Sequence, residues 1–230
     1  MGDLKIIYED NHLIAAEKYP GILSQADGKD PTDMLSEVKA YIKDKYSKPG
    51  DVYLGLLHRL DKPVGGVMVF ARTTKSAARL NEQMKKKEIV KEYYAVVNGS
   101  PAEEKGTLEG YISKDQETNI SSMCEEDGER ARYASLSYET VAEIEGYSLL
   151  RVRLLTGRSH QIRVQLAAMG NPIVGDRKYG FDESHHTVAL WAYMINLLHP
   201  VKKERMRFVS LPEKAGIWNK FEIGDHLDEN

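Results

Sequence analysis

The stretch GLLHRLDKPVGGVMVFAR, residues 55–72, decides the fold of this chain. It begins with a short apolar run and ends with a second one, VMVF at 67–70, and such runs are typical of buried strands. A proline and two glycines between the runs exclude a regular element there, so the middle of the stretch is a turn. This turn carries Arg59 and Asp61. Loops between core strands are where rigid scaffolds place reactive groups.

The sequence of the whole stretch is more informative than its two charged residues, because an isolated Arg-x-Asp is more often a weak surface ion pair. HRLD followed by a small-residue turn and VMVFA resembles the central motif of the RluA-type pseudouridine synthases. The resemblance implies that Asp61 is the catalytic nucleophile and that Arg59 acts as a wedge or phosphate contact. The family usually has a serine where this chain has Gly65, so a hydroxyl that could hold the loop is missing here.

A second motif lies in IVKEYYAVVNG, residues 89–99, whose pattern predicts a strand. Side chains alternate across a strand, so Tyr93 and Tyr94 point to opposite faces. Lys91, Tyr93 and the following residues match the family pattern K-x-Y-x-A-x-V, which implies that Tyr93 is the active-site tyrosine. Without that resemblance, a strand tyrosine is more often a core residue.

The third motif, HQIR at 160–163, lies in a predicted short helix from 160 to 169 that Ser159 caps. In the resembled family this arginine pairs with the catalytic aspartate, which implies that role for Arg163. Ile162 is then placed to press on the uracil, and His160 joins the substrate-binding residues. Read from the sequence alone, Arg163 is a solvent-exposed helix residue at the edge of an apolar stripe.

Charge is segregated along the chain, although the net charge of −3 argues weakly against a nucleic-acid partner. Residues 151–180 carry six basic residues against one acid, whereas 222–230 carry four acids and no base. We therefore expect Arg177 and Lys178, within the basic segment, to contact RNA phosphates.

The composition is that of a globular protein, and the 230 residues are expected to form a single catalytic domain, 1–230. The single cysteine, Cys124, excludes an internal disulfide and fits a cytoplasmic protein. No signal-peptide layout and no membrane-spanning apolar run is present in the sequence. Adjacent His185 and His186 lack a third ligand at metal-binding spacing, so no metal and no cofactor is expected. We expect a monomer.

Strands dominate the chain and helices are inserted singly, which favours an α+β domain around a largely antiparallel sheet. Helices are predicted over 30–46, capped by Asp30, over 74–87, and after Pro212. Residues 114–130 are expected to form a surface loop. The resemblance implies the pseudouridine synthase fold, a mixed sheet with flanking helices. The segment EKYPG at 17–21 keeps the Lys, Pro and Gly of another family motif, and we expect no S4 domain before it.

The resemblance implies isomerisation of specific uridines in structured RNA, either rRNA or tRNA. This chemistry needs a carboxylate, and an arginine suits it as a permanently charged, two-pronged partner. A catalytically idle RNA-binding or RNA-chaperone domain on the same fold is the alternative, but it has no need of Asp61. A glycosidase-like hydrolase would need a second carboxylate, and the motifs contain none.

Overall fold

The computed structural model describes residues 4–28, 32–180 and 187–223 of the chain. These residues form two compact units. The first contains the described residues up to Lys91 together with Ala192–Ser210, and the second contains Glu92–Trp191 and the described residues from Leu211 onward. That residues 1–230 act as one catalytic domain stays a prediction.

The first unit contains two helices and six strands, of which β10 crosses the boundary between the units. They are β1 (Ile6–Glu9), β2 (Leu13–Lys18), α1 (Met34–Lys45), β3 (Gly55–Leu56), β4 (Gly65–Ala71), α2 (Thr74–Lys85), β10 (Leu190–Leu198) and β11 (Arg205–Val209). The pairs β1–β2, β2–β4, β3–β4 and β10–β11 are antiparallel, and β10 lies beside β4.

Every residue of β2 and β4 is buried. Their sequences are accordingly rich in apolar residues, although β2 ends with the buried charged residues Glu17 and Lys18. Leu13, Val67 and Val69 pack in one cluster with Leu80 of α2 and Phe208 of β11. This packing holds β4 in place, and the turn that carries Asp61 leads directly into that strand.

The second unit contains one α-helix, a short 3₁₀ helix and five strands, of which β5 begins just before the boundary. They are β5 (Val90–Asn98), β6 (Lys105–Lys114), β7 (Ser121–Cys124), β8 (Arg132–Ile144), β9 (Tyr147–Leu154), α3 (Gln161–Ala168) and a 3₁₀ helix at Gly216–Lys220. The strands lie in the order β5-β9-β8-β6-β7, and each neighbouring pair is antiparallel. The prediction of a largely antiparallel α+β architecture is confirmed.

Several predicted boundaries differ from the structure for local reasons. The first helix begins at Met34 with Asp33 as its N-cap, whose side chain accepts a bond from the Ser36 amide. The predicted cap Asp30 and the neighbouring Pro31 lie outside the described residues, as do His185 and His186. A short strand, β7, lies within the predicted surface loop at 114–130.

Two of the three other helix predictions also need correction. Residue 160, and not Ser159, is the N-cap of α3, and its side chain makes no capping bond. Gln161 instead fixes the chain before the helix, because its Oε1 accepts a 2.9 Å hydrogen bond from the Arg158 amide. The helix predicted after Pro212 is the 3₁₀ helix Gly216–Lys220.

Candidate active site

Asp61 lies on a tight turn between β3 and β4. The Val64 amide donates a 3.0 Å hydrogen bond to the Asp61 carbonyl and closes the turn. The Asp61 side chain is half-buried, while Arg59 is exposed to solvent. These positions suit a reactive carboxylate and a residue that contacts RNA.

The predicted turn is too long, because Gly65 and Gly66 are the first two residues of β4. Gly66 is required there by the close approach of another backbone. Gly66 has φ 122°, and a Cβ atom there would lie 2.2 Å from the Ala192 carbonyl oxygen in β10. Any side chain would force the strands apart, so this position fixes how β4 leaves the turn.

A buried cation, which the sequence analysis recorded only as part of a motif, lies close to the turn. Lys18 is fully buried at the end of β2, and its Nζ donates to the carbonyls of Tyr19 and Lys62, each at 3.1 Å. Burial lowers the pKa of Lys18 to about 7, the negative charge of Asp61 opposes that shift, and the positive charge of Lys62 adds to it. The carboxylate therefore has a neighbouring cation within its own unit.

The neighbouring imidazole of the HRLD motif has a structural role. His58 Nε2 accepts a hydrogen bond of 3.3 Å from the Val69 amide. Burial, followed by the positive charge of Lys91, lowers the pKa of His58 to about 3. The imidazole is neutral near pH 7 and holds β4 rather than acting as an acid.

The register of β5 separates the two adjacent tyrosines. Tyr93 lies opposite Val152 of β9, and Tyr94 lies opposite Arg151. Neighbours across a ladder point to the same face, so Tyr93 belongs to the apolar face and Tyr94 to the face that carries the arginine. Both are buried, with Tyr93 6% exposed and Tyr94 fully enclosed.

The face that Tyr93 shares is the one covered by α3. Val152 pairs onward with Tyr138 of β8, and Ala134, four residues earlier on the same strand, packs against Val164 of α3. Residues four apart in a strand point the same way. Within the second unit, Tyr93 and the helix that carries Arg163 therefore share one side of the sheet.

Arg163 is buried, in contrast to the exposed position predicted from sequence alone. Its Nε and Nη2 donate to the two carboxylate oxygens of Asp176 at 2.6 and 2.7 Å. Its guanidinium also lies 5.0 Å from the ring centroid of Tyr179, within cation–π range. The contact with Asp176 is therefore bidentate, with Nε and Nη2 as the two donors.

Tyr179 is itself fixed by two hydrogen-bonding neighbours. Its hydroxyl accepts a 2.9 Å bond from the Ser121 amide and lies 2.5 Å from His160 Nδ1. His160 adopts the left-handed conformation at the start of α3. Burial raises the pKa of Tyr179, so the ring stays neutral beneath Arg163. The sequence analysis did not predict the contacts of Asp176 and Tyr179 with Arg163.

The other predicted binding residues differ in exposure. Ile162 is 4% exposed and lies in the buried part of α3. Arg177 and Lys178 are exposed, which suits phosphate contacts, but the Lys178 ammonium donates to the Asn119 carbonyl at 2.5 Å. The first unit holds Arg59 and Asp61, and the second holds the remaining predicted site residues.

Two further classes of site were searched for in the described residues. No group of three or more His, Cys, Asp or Glu side chains there is arranged to hold a metal ion. No helix in the described part of the chain is both long and apolar enough to span a bilayer.

Comparison with known proteins identifies the class to which this arrangement belongs. The model of the RNA pseudouridylate synthase family matches residues 12–168, which include the motifs around Asp61, Tyr93 and Arg163. The chain therefore belongs to this family and is an RNA pseudouridine synthase, an enzyme that isomerises uridine in RNA. The family resemblance inferred from the motifs is confirmed.

Its relatives are similar over most of the chain. A protein of Bacillus subtilis described as an uncharacterized RNA pseudouridine synthase is 32% identical over 205 residues, which are 88% of this chain and 67% of that protein. The ribosomal large subunit pseudouridine synthase D of Yersinia pestis is 30% identical over 231 residues, covering 91% of this chain and 68% of that protein.

A solved structure shows the same fold. The human RNA pseudouridylate synthase domain containing 4 superposes with a TM-score of 0.75 at 22% identity, over 91% of this chain and 89% of that one. The predicted pseudouridine synthase fold is confirmed.

Proposed function

We propose that this enzyme converts specific uridines of structured ribosomal or transfer RNA to pseudouridine, with Asp61 as its catalytic carboxylate. The observation that carries the proposal is the position of Asp61, half-buried on a closed turn with the buried ammonium of Lys18 nearby. A binding domain has no need of a carboxylate held in this way.

The reaction balances without any oxidant or cofactor. The C1′–N1 bond of uridine breaks, a C1′–C5 bond forms, the proton on C5 is lost and N1 gains a proton. Asp61 supplies the nucleophilic carboxylate for this rearrangement. Tyr93 stacks on the uracil, and its hydroxyl assists the loss of the C5 proton. Arg163 is proposed as a catalytic residue because the arginine of this motif has that role in the family, and Asp176 holds its guanidinium in place.

The target base must lie outside the helical stack of the RNA, because enzymes that act on a base bind it as an extruded nucleotide. Arg59, exposed beside Asp61, is placed to contact a phosphate or to wedge into the stack. His160 and Ile162 contribute to the uracil side of the site, and Arg177 contacts the backbone. Four relatives are named as ribosomal large subunit pseudouridine synthases, so large-subunit rRNA is the first substrate to test.

Asp61→Asn tests the catalytic assignment, since the amide keeps the shape but is a poor nucleophile. Tritium release from RNA labelled at uracil C5 should be abolished in this variant, while the exposed Asp51→Asn in the same unit serves as control. Release within about tenfold of wild type would remove Asp61 from its role. RNA binding with no release by wild-type protein on any ribosomal or transfer RNA would favour the idle binding domain instead.

Mapping pseudouridine in RNA from cells with and without the protein identifies the substrate. A uridine that is isomerised only when the protein is present, and only with Asp61 intact, is the expected result. Sites confined to messenger RNA would contradict the proposed substrate class.

A further inference from the structure

Ser24 binds the backbone of the residue that precedes Asp61. Its side chain is 4% exposed, and its Oγ donates to the Leu60 carbonyl at 2.7 Å. The same oxygen accepts a hydrogen bond of 2.9 Å from the Leu60 amide. One hydroxyl thus satisfies both backbone polar groups of a buried residue, each of which would be costly to leave unpaired.

The residue after Asp61 is held by the same segment of chain. The Lys62 carbonyl accepts bonds from the Gly21 amide at 2.8 Å and from Lys18 Nζ at 3.1 Å. Residues 18–24 therefore hydrogen-bond to the backbone on both sides of Asp61, which restricts the movement of that residue.

Ser24 is in turn supported by the N-terminus of α1. The Leu35 amide donates to the Ser24 carbonyl at 3.3 Å, and the Met34 amide donates to the Leu23 carbonyl at 2.8 Å. These donors belong to the first turn of the helix, where amides have no partner within the helix itself. The support runs from α1 through Ser24 and Leu60 to the turn.

We infer that Ser24 is a positioning residue for the catalytic carboxylate, an inference that rests on the proposed role of Asp61. The hydroxyl that secures the backbone before this turn comes from Ser24, on a separate segment of the chain. Ser24 acts through the backbone and does not touch the reacting atoms. Its loss loosens the turn and displaces the carboxylate from its attacking position.

Ser24→Ala tests the inference against a matched control, Ser148→Ala. Ser148 is also buried, and its Oγ donates to the Gly99 carbonyl at 2.8 Å, but it lies in the second unit. A displacement of about 1 Å can cost roughly a hundredfold in rate. We expect Ser24→Ala to lower kcat by about 10- to 100-fold, with KM within about twofold of wild type. Ser148→Ala should change neither constant.

Amide exchange provides a readout that a general loss of stability does not reproduce. The Val64 amide bonds to the Asp61 carbonyl and is not touched by the substitution, yet it should exchange faster in Ser24→Ala than in Ser148→Ala. Both assays are run well below the unfolding temperatures of both variants. Equal kcat values in the two variants, or unchanged Val64 exchange, would overturn the inference. Activity in Asp61→Asn would instead refute the proposed function, whatever the behaviour of Ser24.

Discussion

Replacement of Asp176 by asparagine tests whether Arg163 depends on its buried partner. The side chains of Arg163 and Asp176 are 6% and 1% exposed, so solvent screens the pair little. Removing one partner of a buried pair typically costs about 3–5 kcal/mol, because the other charge is left uncompensated. The amide oxygen of the Asp176→Asn variant could still accept one hydrogen bond, which favours the lower end, about 3 kcal/mol.

The expected decrease in the free energy of unfolding is large but compatible with folding, since the free energy of unfolding of a domain is typically about 5–15 kcal/mol. For a chain of this size, about 3 kcal/mol lowers Tm by roughly 6–12 °C. Calorimetry measures the shift, and Glu139→Gln serves as control because the Glu139 side chain, which pairs with Arg151, is 50% exposed. A decrease in Tm no larger than that of Glu139→Gln would refute the reasoning. An apolar double variant, Arg163→Met with Asp176→Leu, should be more stable than either single change.

Three further predictions concern other parts of the site. Tyr93→Phe should reduce turnover about tenfold or more relative to Tyr94→Phe in the tritium-release assay, and equal losses would mean that the assignment of strand faces is wrong. Alanine at both Arg177 and Lys178 should flatten the salt dependence of RNA binding by up to about two units of slope, with Arg177 carrying the larger part; an unchanged slope would place the RNA path elsewhere. The free energy of unfolding should rise between about pH 7 and pH 10, by at most about 1.4 kcal/mol per unit, because unfolded Lys18 binds a proton that the folded residue has lost. Lys18→Met should remove that contribution in denaturant titrations, and an identical slope would contradict it.

The strands were predicted well because the burial of a strand produces a short-range pattern of apolar residues in the sequence. The apolar run of β4 and the alternation in β5 locate these elements to within a residue or two. The turn with Asp61 was also predicted, but it is shorter than expected, because Gly65 and Gly66 already belong to β4. Short β7, reading SSMC, carries no such pattern and was missed.

The supports of the site could not be derived from local sequence. Arg163 appears exposed in the pattern of α3 because its partner lies 13 residues away, in a segment with no helical periodicity. Ser24 and Leu60 are separated by 36 residues, and nothing in either neighbourhood indicates a hydrogen bond between them. Polar contacts of this kind are set by the tertiary fold, so a motif identifies the reactive group but not what holds it.

The two buried cations are stabilised in different ways, and the difference has a consequence for catalysis. Arg163 stays charged at every working pH, and Asp176 balances its charge inside the second unit. Lys18 is bound by carbonyl dipoles and loses its proton near neutrality, so its support for the Asp61 carboxylate weakens as the pH rises through about 7. The chain thus contains a permanent charge, stabilised by a buried carboxylate of its own unit, and a titratable charge beside the nucleophile. Any alkaline decline in turnover that originates in this site should therefore arise from Lys18 and not from Arg163.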